Sequence, residues 1–133
     1  MRNEGVQCLS SSLKQTNRKA IRIHDRRLYS LDLTDNMIDG DGFCCLYELF
    51  YDQFRTAGTV FEIEAPLPTS IRILVLDYNL IGKSGADWLG KILDVSRQLK
   101  VLSLERCGLE GKDLEGFCKS LQKNKILKVL NLG

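Results

Sequence analysis

The sequence predicts an α/β solenoid in which short parallel strands stack along one face and helices along the other. Three observations predict it. The register Leu28–Leu31–Leu33–Asn36–Ile38 recurs as Ile71–Leu74–Leu76–Asn79–Ile81 and as Leu99–Leu102–Leu104–Cys107–Leu109, and a fourth copy starts at Leu127, Leu130 and Leu132. Apolar residues at helical spacing follow each complete copy. The stride is regular: Leu99 lies 28 residues after Ile71, and Leu127 lies 28 after Leu99. A unit of this kind cannot cover its own apolar edge, so neighbouring copies must shield one another from water.

Within each copy the residues alternate as a half-buried strand requires. Leu31, Leu33, Leu74, Leu76, Leu102 and Leu104 are expected to point inward. Each such burial stabilises the fold by about 1.5–3 kcal/mol. Asn36 and Asn79 stand where the chain turns from strand toward helix. There a side-chain amide can satisfy backbone groups of its own and the next unit, and Cys107 fills the same slot as a small, weak donor.

The helices follow from offsets of one, four, five and eight residues. Gly42 begins a segment with Phe43, Leu46, Tyr47, Leu49 and Phe50; Gly85 begins Ala86, Leu89, Ile92 and Leu93; Asp113 begins Leu114, Phe117, Cys118 and Leu121. Glu48, Asp52, Lys91, Asp94, Glu115 and Lys119 mark the solvent side. The same template places Val6, Leu9 and Leu13 inward after Gly5, giving a partial repeat helix at 5–16. A single domain, 1–133, then contains that helix, a repeat with an insertion at 28–70, repeats at 71–98 and 99–126, and the start of another at 127–133. Its open ends are expected to be covered by further repeats of a longer protein or by another chain, since solenoid ends otherwise need polar caps.

Ile71 follows Leu28 by 43 residues, an excess of 15 over the regular stride. This insertion and a shorter one before Leu28 both fall between helix and strand. Alternating apolar residues in Lys19–His24 and Thr59–Ala65 predict a two-stranded flap, with Pro66 and Pro68 ending its second strand.

Composition narrows the function classes. Nineteen basic against seventeen acidic residues leaves no charge excess that would point to nucleic acid or an anionic membrane. No run of eighteen apolar residues is present to cross a bilayer, and Met1–Gly5 lacks the apolar block of a secretory signal. Five cysteines, an odd number placed by repeat geometry, are read as reduced thiols of an intracellular protein. The segment Arg18–Arg27 is locally basic and keeps nucleic-acid contact as a third, weaker idea.

Candidate chemistry is sparse. Zinc needs about four converging ligands; the cysteines form no C-x-x-C pair and the single histidine is His24, so no metal and no cofactor is assigned. Gly82-Lys83-Ser84 lacks the glycine of a phosphate-binding loop, since Asp77 stands five positions earlier, and Ser84 is read as a helix cap. Trp88 is read as partial core, with a partner anchor as its functional alternative.

The residues alternating with the leucines remain for binding. Ser30, Ile73, Val101 and Val129 form one outward row, followed by Asp32, Val75, Ser103 and Asn131. The strand ends carry Thr34, Asp77 and Glu105 beside Asp35, Tyr78 and Arg106; the strand starts carry Tyr29, Arg72, Lys100 and Lys128. The site predicted for a protein partner is Ile73, Val75, Asp77, Tyr78, Val101, Ser103, Glu105 and Arg106, an apolar strip between charged rims.

The L-x-x-L-x-L-x-x-N/C-x-L register, the Asn/Cys alternation and the run Leu121–Asn124–Leu127–Leu130–Leu132 resemble leucine-rich repeats of the ribonuclease-inhibitor-like class. That resemblance implies a right-handed leucine-rich-repeat solenoid, a horseshoe segment with concave strands and convex helices. It further implies a non-enzymatic interaction module or scaffold subunit, located in the cytoplasm with cytoskeletal or ciliary association among the options. The alternative it leaves is a GTPase-activating regulator similar to the Ran activator, working through a polar loop such as Asp77-Tyr78-Asn79 or Glu105-Arg106.

Overall fold

A computed structural model of the chain describes residues 4, 5, 7, 29–56 and 71–133, with backbone alone at 49 and 52–56. In order the elements are β1 (Ser30–Asp32), α1 (Gly40–Thr56), β2 (Ile73–Val75), α2 (Gly82–Val95), β3 (Val101–Ser103), a 3₁₀ turn (Gly111–Asp113), α3 (Glu115–Lys123) and β4 (Val129–Asn131). The strands form one parallel sheet in the order β1-β2-β3-β4. Leu31 stands beside Leu74, Leu74 beside Leu102 and Leu102 beside Leu130, so the long β1–β2 connection leaves the pairing in phase.

The expected leucines make the core. Leu31, Leu33, Leu74, Leu76, Leu102 and Leu104 are all buried, under Phe43, Leu46 and Phe50 of α1, Ala86, Leu89, Ile92 and Leu93 of α2, and Phe117 of α3. The helices lie in a row, α1 on α2 and α2 on α3. Glycine sets their approach: a Cβ on Gly85 would come within 2.6 Å of Ile81 Cγ2 and 2.9 Å of Phe43 Cδ2.

Several expectations change. α1 starts at Gly40 and α2 at Gly82, two to three residues earlier than the apolar offsets indicate, and Gly82 opens α2 with a left-handed φ of 61°, which glycine adopts freely. Ser84 therefore lies inside α2 and is not its cap; Ile81 holds the N-cap position without a side-chain bond. The third helix opens through the 3₁₀ turn, where Glu110 and Asp113 cap each other's backbone amides. Cys118, expected inward, is exposed, since no described helix lies on the outer side of α3. Residues 4, 5 and 7 are helical, while the rest of 5–16, the flap segments, His24 and Arg18–Arg27 lie outside the described residues.

The last unit is incompletely covered. Ile81, Leu93, Leu99, Leu102 and Leu104 are at most 3% exposed. Their counterparts Leu109, Leu121, Leu127 and Leu130 are only partly buried, and Leu132 is 48% exposed.

Candidate functional site

The turn after each strand builds the rim of the site. Asp35, Tyr78 and Arg106 occupy one repeat slot and share a left-handed backbone, with φ of 53°, 59° and 51°. Such a conformation costs an L-residue about 1–2 kcal/mol. What holds it is the buried Asn79. Its Oδ1 accepts from the Asn36 N–H (3.1 Å) and the Ile38 N–H (3.0 Å), and its Nδ2 donates to the carbonyls of Leu33 (2.8 Å) and Leu76 (2.9 Å). The amide thus ties its own unit to the preceding one, rather than to the next as the sequence suggests. Cys107 repeats the link more weakly, donating from Sγ to Leu76 O at 3.3 Å. Burial pushes the Cys107 thiol above its ordinary pKa.

The outward sheet face has the rows the alternation requires. Ser30, Ile73, Val101 and Val129 are neighbours in register, as are Asp32, Val75, Ser103 and Asn131. Ile73, Val75 and Val101 are half-exposed and Val129 is 52% exposed, while the leucines between them are turned into the core. Tyr78 is 49% exposed beside Arg106, whose guanidinium lies 5.8 Å from the ring centre. Glu105 reaches Arg106 at 4.0 Å. These residues form one continuous strip running from the sheet face to the rim at the strand ends.

Two predicted members are committed elsewhere. Ser103 is buried, and its Oγ accepts from Asn131 Nδ2 at 3.0 Å; the Asn131 side chain covers it from the next strand. Asp77 is half-buried, with Oδ1 accepting from the Glu105 N–H at 2.8 Å. Of the polar loop Asp77-Tyr78-Asn79, two side chains are therefore engaged in holding the turn. Asp32 behaves similarly at the other end of the sheet. The Thr34 hydroxyl and amide both donate to Asp32 Oδ1, at 2.6 and 2.9 Å, and hold its carboxyl below the usual range.

Other residues join the strip that sequence reasoning passed over. Met37 (69% exposed) and Leu80 (75%) share the slot after the turn Asn, which the register treats as variable. Two apolar residues in that exposed slot were the available signal. Trp88, by contrast, is half-buried, with the Tyr47 ring 5.3 Å away and Lys91 Nζ 3.9 Å above it. That is flank packing of α1 on α2. Burial, with smaller contributions from Tyr51 and Asp94, raises the Tyr47 pKa.

Among the described residues no group of three His, Cys, Asp or Glu is placed to hold a metal, and no helix is long and apolar enough to cross a membrane. No curated protein matches the chain. Residues 98–120, the unit built around β3, match the family model described as Leucine Rich Repeat, and with in-register copies at β1 and β2 this supports a leucine-rich repeat protein.

Proposed function

We propose that the chain is a non-enzymatic interaction module that binds a protein partner on the outward face of its sheet. Leucine-rich repeat domains are commonly protein-interaction modules. The observation that carries the reading is the strip Ile73–Val75–Val101–Val129, β-branched and accessible on a sheet face that no described helix covers. Tyr78, Glu105 and Arg106 add a polar rim with an aromatic ring, the composition that recurs where proteins dock. Ile73, Val75, Val101, Tyr78, Glu105 and Arg106 would make the contacts, with Leu80 and Met37 extending them; Asp77 and Ser103 would support from beneath. The reading includes a horseshoe of the ribonuclease-inhibitor-like class and a reducing, cytoplasmic setting, in keeping with free thiols at Cys44, Cys45, Cys107 and Cys118. The experiment is a comparison of partner capture by the wild-type chain and by I73D/V101D. Capture should be lost while helical circular dichroism is unchanged; equal capture would remove the sheet face from the interface.

A further inference from the structure

The side of the molecule where the strands start presents a second surface. Arg72 N–H donates to Tyr29 C=O, Lys100 N–H to Arg72 C=O and Lys128 N–H to Lys100 C=O, each at 2.8 Å. Three cations therefore stand on successive strands, about 4.8 Å apart, where like charges repel. The last residue of α3 adds Lys123, and the loops leading from α2 to β3 and from α3 to β4 add Arg97 and Lys125. Across 71–72, 94–100 and 122–128 there are six cations and a single carboxylate, Asp94. The opposite flank, 34–41, 77–85 and 105–113, carries seven carboxylates and three cations. Among the described residues Lys100, Lys123, Lys125 and Lys128 have no carboxylate within ion-pair distance, whereas Lys112 of the opposite flank pairs with Glu110 at 2.9 Å. The C-terminal ends of α2 and α3 offer about half a negative charge each, too little to balance this excess.

The same flank has a shaped recess. An open groove of about 420 Å³ is lined by the apolar Leu93 and Ile126, by Arg97, Lys123 and Lys125, and by Asp94, Ser96 and Asn124. Its shape is fixed by Asn124, which donates from Nδ2 to Leu93 O (2.9 Å) and accepts at Oδ1 from the Ile126 and Leu127 amides (both 2.8 Å). We propose that this flank docks an acidic polypeptide segment, its carboxylates along Arg72, Lys100, Lys125 and Lys128 and an apolar side chain in the groove. The aliphatic Leu93 and Ile126 in its lining favour a peptide over single-stranded nucleic acid, which binds through rings on which bases stack. Among the described residues Tyr29 is the one ring beside this ladder, and it already lies under the Arg72 guanidinium at 5.3 Å.

The test is fluorescence anisotropy of the full chain with a short labelled peptide of Glu-Glu-Leu repeats. Affinity should fall at least ~10-fold in K100E/K125E/K128E, and by a similar factor between about 50 and 300 mM salt. I126S should weaken it by at least ~10-fold, since a single methylene in an apolar pocket is already worth about that factor. K119E, on the outer face of α3, and V101D, on the sheet face, should leave it unchanged, which separates this surface from the one proposed above. Circular dichroism confirms the fold of each variant. The proposal is overturned if the wild-type chain does not bind the peptide, if the triple variant binds equally well, or if oligouridine or anionic vesicles bind more tightly.

Discussion

Replacing Asn79 probes the element that joins one repeat to another. The side chain is 1% exposed and makes two acceptor and two principal donor bonds, all to backbone groups. In Asn79→Ala the Ile38 amide, which sits in the core, loses its partner, as does the Leu33 carbonyl. The Asn36 amide is half-exposed and can turn to water, and Leu76 O keeps its bond from Cys107 Sγ. Two fully orphaned groups at about 1–3 kcal/mol each give a loss of roughly 2–6 kcal/mol. That is a large share of the ~5–15 kcal/mol typical of a domain, and it lowers a urea midpoint by about 1 M or more. Asn79→Cys restores a donor but only a feeble acceptor, so its loss should be intermediate. Asn36→Ala should cost less than ~1 kcal/mol, because among the described residues that side chain donates only to Thr34 O. The reasoning is refuted if Asn79→Ala costs no more than Asn36→Ala, or if the cysteine variant is the least stable of the three.

Gly85→Ala should lose about 1–3 kcal/mol by overpacking, despite a helix propensity gain of up to ~1 kcal/mol, since Phe43 and Ile81 are buried and cannot withdraw; a raised urea midpoint would show that the Phe43 ring does move. Thiol labelling should modify exposed Cys118 under native conditions and reach Cys107 only on unfolding. The raised pKa of Cys107 also has a sign. The folded state keeps this proton after an unfolded thiol, near 9.0, would release it, so the contribution is full below that value and declines as pH rises through the folded pKa. Urea midpoints should therefore drop less in Cys107→Ala than in wild type as pH rises above 9.0; parallel drops would remove the thiol from the balance.

Much of the fold was legible because burial in a repeat is periodic. Leu31, Leu74 and Leu102 share a register in sequence and a row in space, and the insertion before Ile71 does not disturb it. The outward rows were legible for the same reason, since residues between two inward leucines must face the other way. Helix starts were less readable: Gly40 and Gly82 precede the apolar offsets, and backbone geometry, not hydrophobic spacing, decides where the first turn closes. Cys118 was misplaced because the template assumes a neighbour on each side of every helix, and α3 has a described neighbour on one side only.

The candidate site divides in the same way. Ile73, Val75 and Val101 follow from alternation, yet Ser103 follows the same alternation and is covered by Asn131. Asp77 and Glu105 look equivalent in the register, while only Asp77 accepts a neighbour's amide. By itself the sequence determined which side chains face the core, which strands adjoin and how far apart the units lie, because those depend on a local period. Tertiary structure alone decided which polar groups remain free. Whether Asn36 or Asn79, Asp77 or Glu105 is engaged depends on what the adjoining coil offers within about 3 Å, a condition that no spacing along the chain records.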